Sequence, residues 1–288
     1  MSSYNISVKK FEPTDPRLGR HVWHDERSLL YQVQAEPMGT LASVRHHLNI
    51  HTLDQGNVGS CTGNAGTLNL SGDTFWQFSA QFLSPNDSVA NEQYAVGLYS
   101  EATKIDSAVG SYPPTDTGSD GLSIAKVLQK RGLIGGYQHA TSLQALLTAL
   151  AKQPVIVGTE WRQNMFYPAG GKMDITGAVQ GGHEYCLDQL DVENKRIWMH
   201  NSWADSWGEQ GRAFFTYDQM DELLDAQGDC TVFSPLTQPA PTPTPTPTPV
   251  VTPLQKWKPL AQAWTSAKHT GANQQFSKDT KAYLATLV

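Results

Sequence analysis

The chain has 288 residues, 39% of them hydrophobic and 17% charged, and a formal net charge of -6. That is enough apolar material for one sizeable core with an appendage, and the acidic balance argues against a nucleic-acid-binding body. Three cysteines, Cys61, Cys186 and Cys230, exclude a disulfide scaffold and leave a reducing compartment acceptable. The N-terminal residues contain no apolar run of signal-peptide type, and no stretch reaches the length needed to span a membrane. The expected place of synthesis is therefore the cytoplasm, with virion association or release by lysis as the routes outward.

Residues 1–50 are polar and mixed, and Pro13, Pro16 and Pro37 forbid a long helix. Arg20 to Gln34 is dense in charged and aromatic residues and is expected to pack as an arm on the body. His46, His47 and His51 lie close together but are read as a packed or solvated segment, and no metal is expected. A helix should start at or just before Cys61, where Gly59 and Ser60 suit a tight entry. Gly63 and Gly66 make it a poor helix by propensity, so packing must hold it. The spacing of Tyr94, Leu98 and Ala102 predicts a helix over 88–106 capped by Ser88, and two further helices are expected over 121–131 and 141–152.

From Pro154 the pattern changes. Pro154–Trp161 reads as a β-branched strand, Gly182–Trp203 as two strands joined by a turn at Glu193 and Asn194, and Arg212–Tyr217 as another. Helices first and strands second imply an α+β fold of two packed subdomains, a helical part over about 51–153 and an antiparallel β part over about 154–238. Residues 239–253 form a Pro/Thr spacer that as polyproline II would extend roughly 45 Å. The tail, 254–288, carries five lysines against the single acid Asp279, a net of about +4. With Trp257, Leu260 and Trp264 on one helical face it is expected to dock on a particle, an envelope or a protein partner.

Chemistry-bearing residues occur in the order Gln55, Cys61, His183, Asn201. A thiol attacks only as thiolate and needs a partner that lowers its pKa. An imidazole can take that proton and return it to a leaving amine. An amide behind the imidazole fixes its tautomer and ring angle. A glutamine six residues before the thiol can donate to the oxyanion that forms on the attacked carbonyl.

Four stretches then carry a resemblance: QGNVGSC ending at Cys61, TGSDGLSIAKVLQKRGLI from Thr117, GGH ending at His183, and NSWADSWGEQGRAFF from Asn201. In these the chain resembles the papain-like cysteine peptidases, particularly their compact bacterial and phage forms. The resemblance covers roughly residues 50–235. It implies a two-subdomain α+β fold with the active site in the cleft, Cys61 on the helical side and His183 and Asn201 on the strand side. It further implies Cys61 as nucleophile, His183 as base, Asn201 as orienting amide and Gln55 as oxyanion donor, with Trp203 shielding the Asn–His bond. Gly118, Ser119, Asp120 and Gly182 would border the substrate main chain. A plain glycine-rich loop is an equal reading of Gly118 to Leu122. No cofactor is implied.

Departures from the pattern are Thr62, where many relatives carry Trp, and Val58, where they carry a disulfide-forming Cys. The long inhibitory prosegment of secreted relatives is also not expected here. The reading is a thiol hydrolase acting on a peptide or protein, with Cys61 and His183 as a thiolate–imidazolium pair. Two alternatives stand beside it: a binding or assembly module that does not turn over, and a peptidoglycan-directed amidase.

Overall fold

The computed structural model describes residues 6–236; the Pro/Thr spacer and the basic tail lie outside the described residues. The chain opens with a two-stranded ribbon in which β1 (Ile6–Lys9) pairs antiparallel with β2 (Val22–Asp25). A short β3 (Val44–Arg45) follows, and then the helices α1 (Cys61–Leu70), α2 (Asp73–Ser79), α3 (Ser88–Ala102) and α4 (Gly121–Lys130). Next come β4 (Gly136–Ala140), α5 (Leu143–Leu150), β5 (Val155–Arg162), β6 (Val179–Asp191), β7 (Arg196–His200), β8 (Arg212–Thr216), α6 (Tyr217–Asp225) and β9 (Asp229–Ser234).

The main sheet runs β4-β9-β5-β6-β7-β8, with β3 added on β6, and every pairing is antiparallel. The architecture is therefore the expected α+β. Two apolar cores flank the sheet. One holds α1, α3 and α4 against Ile156, Cys186 and Phe233. The other holds α5 and α6 against Val155, Val157, Leu187 and their neighbours. Alternate residues of β5 and β6 thus serve opposite cores, as the two-residue period of a strand requires.

All ten residues of α1 are buried. A Cβ on Gly63 would stand 2.2 Å from the Ala95 carbonyl oxygen, so glycine is what lets α1 lie directly on α3. The two glycines cost about 1 kcal/mol each in helix propensity. Full burial of Leu68, Leu98 and Ile124 offsets this at roughly 1.5–3 kcal/mol apiece.

Several boundaries differ from expectation. The cap of α3 is Asp87, whose carboxylate accepts from Ala90 N–H at 2.9 Å, and Ser88 is the first helical residue. The helix ends at Ala102 rather than 106. Two strands of the sheet come before Pro154: β3 pairs with β6, and Gly136–Ala140 pairs with β9 from the far end of the chain. His46 is occupied by a contact of its Nε2 with the Leu150 carbonyl at 2.6 Å, and His47 lies beside Asp73. All three cysteines are free and buried.

Candidate active site

Cys61 is the first residue of α1, at a helix terminus whose opening N–H groups have no acceptor within the helix. His183 lies in β6 and Asn201 directly follows β7, its antiparallel neighbour. That pairing sets Asn201 Oδ1 2.7 Å from His183 Nε2. The same oxygen accepts from Ser202 N–H at 2.9 Å, which fixes which way the amide faces. Nε2 therefore carries the ring proton, and Nδ1 is left as the basic nitrogen of the neutral imidazole. Nδ1 is buried and makes no hydrogen bond. The N–H of Glu184, the residue after His183, faces the Cys61 sulfur, so the thiol lies beside the histidine strand.

Gln55 is held from both ends. Its Oε1 accepts from Ser202 Oγ at 2.7 Å and from the Trp203 indole N–H at 3.2 Å. Its Nε2 donates to Val58 O at 2.6 Å and to Arg17 O at 3.1 Å. The Trp203 ring centroid is 4.8 Å from that of His183. One indole thus packs against the histidine and orients the glutamine with its N–H.

The cleft is filled by the chain's own N-terminal arm. Residues 14–21 run through it as a strap. Thr14 N–H donates to Gln180 O at 2.9 Å, Arg20 N–H to Gly182 O at 3.0 Å, and His21 N–H to Ser119 O at 2.8 Å, while Gly19 O accepts from Ser119 N–H at 2.8 Å. Gly19 pairs with Gly182 and Arg20 with Ser119 in the parallel sense. The Arg17 guanidinium lies 4.1 Å over the Trp203 ring, and the Gly19 N–H faces the Cys61 sulfur. Leu18 is fully buried against the sheet-side core. The arm was expected over Arg20–Gln34; the segment that crosses the candidate chemistry lies mostly before it, at residues 14–21.

Sealing sets the electrostatics. Burial pushes the Cys61 thiol up to about 12, against weaker help to the thiolate from surrounding N–H groups. Burial likewise pulls His183 down to about 4, although the Asn201 bond and the Arg17 carbonyl both favour the protonated ring. Among the described residues no hydrogen bond joins Cys61 to His183. The expected thiolate–imidazolium pair is not the state of the strapped molecule; thiol and imidazole are both held neutral, because water is excluded from both.

Of the other residues singled out in the sequence, Gly118, Ser119 and Gly182 touch the strap. A Cβ on Gly118, at φ +68°, would meet Gly19 O at 2.5 Å, and one on Gly182 would meet Arg20 O at 2.3 Å. Asp120 caps α4, accepting from Ser123 N–H at 2.7 Å and Ser123 Oγ at 2.9 Å, and burial raises its carboxyl to about 7. Sequence reasoning missed Arg17, Gly19, Arg20, Glu184 and Asp229, all of which line or fill the cleft. The available signal was Glu184, the one acid within the apolar strand run GGHEYCL.

No family model matches this chain, and no curated protein matches it. Solved structures do. Xylellain, a cysteine protease from Xylella fastidiosa, is similar over 82% of this chain and 99% of its own, at 18% identity and a TM-score of 0.57. Procathepsin B S9 from Trypanosoma congolense is similar over 77% of this chain and 88% of its own, at 10% identity and a TM-score of 0.52. The chain has the papain-like cysteine protease fold.

Proposed function

We propose that the protein is a thiol-dependent hydrolase of peptide bonds that rests in a strapped, latent state. The observation that carries this is the His183–Asn201 pair at 2.7 Å, with the free Nδ1 beside the strand residue whose N–H faces Cys61. Once the strap leaves, water and substrate reach the pair and the burial that opposes both charges is lifted. Nδ1 takes the thiol proton and the thiolate attacks the scissile carbonyl. The oxyanion is held by Gln55 Nε2 and the Cys61 N–H. His183 returns the proton to the leaving amine and then activates water, which releases the acyl group from sulfur.

The strap is not itself a substrate in this pose. The carbonyl that reaches Gln55 belongs to Arg17, whereas the sulfur faces the N–H of Gly19, two residues on. No single peptide group is offered to both. The decisive test is turnover of peptide reporters by the full chain and by Cys61→Ala, with and without a strap substitution. Hydrolysis that survives Cys61→Ala would sink the reading.

The filled cleft also favours a second reading, a module that binds and never turns over. It predicts no hydrolysis even after the strap is displaced. The basic tail, carried on its spacer, would attach either kind of molecule to a particle, envelope or protein partner, as in a phage-associated or lysis-released enzyme.

A further inference from the structure

Arg20 is fully buried, although it belongs to an otherwise polar arm. Its side chain leaves the strap into a pocket walled by Glu184, Asp229 and two glycines. Nη2 donates to Asp229 Oδ2 at 2.5 Å and to Gln227 O at 2.9 Å. Glu184 is also fully buried, and neither of its carboxylate oxygens accepts a hydrogen bond. Its attraction to Arg20 is electrostatic. The room is made by absent side chains: a Cβ on Gly121 would lie 2.5 Å from Glu184 Oε1, and one on Gly158 would lie 2.4 Å from Oε2 and 2.6 Å from Arg20 Nε.

Asp229 is part-exposed and ion-paired to the guanidinium, whereas Glu184 is fully buried beside it; an acid so placed stays neutral unless a cation accompanies it, which makes the pocket a place for a cation. The residue that carries the cation donates its N–H to Gly182 O, and its neighbours Gly19 and His21 bond the main chain of Ser119 on the other wall of the cleft. Those are the bonds an extended peptide would make there. When the strap leaves, Glu184 and Asp229 face the emptied cleft beside Cys61.

We propose that the Glu184–Asp229 pocket is a specificity subsite that selects an arginine side chain of the peptide substrate, and that Arg20 occupies it in the latent state. This rests on the hydrolase reading. Burial holds Glu184 well above the usual carboxylate range, so an entering guanidinium, which stays charged, also favours its ionisation. A planar fork of donors suits two carboxylates at an angle better than the point charge of lysine.

The test uses the full chain carrying Arg20→Ala, and in parallel Arg20→Met, which keeps the apolar stem. Reporter peptides place Arg, Lys, Leu or Glu at each of four positions in turn. At one position Arg should exceed Leu in kcat/KM on the order of 10²-fold, and adding Glu184→Gln should collapse that ratio to a few-fold. Equal cleavage of Arg and Leu peptides at every position would overturn the subsite and leave the hydrolase standing, with Arg20 a latch only. Calorimetry of the same peptides with Cys61→Ala/Arg20→Ala separates the remaining case. Arginine-selective, Glu184-dependent binding without hydrolysis by Arg20→Ala would support the subsite and sink the hydrolase. No selective binding there would overturn the subsite.

Discussion

Gly19 and Gly59 are packed so closely that a Cβ on Gly19 would stand 1.9 Å from the Gly59 carbonyl oxygen. Gly59 is two residues before Cys61, and backbone at that contact has nowhere to retreat. The strap therefore tolerates no side chain at Gly19. Gly19→Ala should lift it from the cleft at a cost of about 1–3 kcal/mol to the closed state. Peptide turnover by the full chain should rise at least tenfold. Unchanged or lower initial rates would show that the strap does not limit activity.

Thiol reactivity should report the same opening. In the closed chain all three cysteines are buried with their thiols pushed up, so iodoacetamide should label none of them selectively. In Gly19→Ala, Cys61 should react first and fastest, as mass spectrometry of the labelled peptides would show. Selective labelling of Cys186 or Cys230 instead would contradict the site.

The pH dependence has a definite sign. The Cys61 thiol moves from its ordinary value of 9.0 to about 12 in the closed fold. Between these values the unfolded chain is ionised and the folded one is not. The contribution of this group is thus fully present below pH 9.0 and is lost as pH rises toward about 12. Denaturation of wild type and Cys61→Ala across alkaline pH should show wild type losing stability relative to the variant. Alkylation of the closed chain should climb with pH without levelling off below about 12, whereas the opened variant should level off much earlier.

Gln55→Ala should lower kcat by roughly 10²–10³ with little change in KM. It also removes the acceptor of Ser202 Oγ and of the Trp203 N–H, so near-ultraviolet circular dichroism should show a loosened indole. Asn201→Ala should be milder, since His183 keeps its chemistry and loses only its brace. Steady-state kinetics in the Gly19→Ala background would expose both effects; a change confined to KM for Gln55→Ala would rule out the oxyanion role.

The candidate catalytic residues named above all lie within residues 6–236. A chain ending at Gln238 should therefore cleave short soluble peptides at the same rate as the full chain, while co-sedimentation with a particle or envelope fraction should be lost. Falling turnover on truncation would assign the tail a part in the catalytic body.

Gln55, Cys61, His183 and Asn201 were legible because their chemistry depends on residue type, and type is what a sequence records. Helices around Leu98 and Ile124 were legible from apolar spacing. The register of the sheet was not: β4 and β9 are short, and their partners lie about a hundred residues apart. The box that starts α6 is written in the sequence as Thr216 and Gln219, with Thr216 capping Gln219 N–H and Gln219 Oε1 returning to Thr216 N–H. Arg20 was hidden for a different reason. A surface-type residue in a polar arm becomes buried only through carboxylates that arrive from Glu184 and Asp229, and nothing local announces them.

The strap's longest reach has a consequence for the order of events during synthesis. Arg20 binds Asp229 across 209 positions of chain, and Asp229 opens β9, which slots between β4 and β5 inside the main sheet. Arg20 leaves the ribosome first among these groups and its anchor leaves last. The sheet that carries His183 is incomplete until the same strand that anchors the strap has been made. Cleft and lock are thus finished together, so a newly made chain passes through no stage at which an assembled site stands open to the proteins around it.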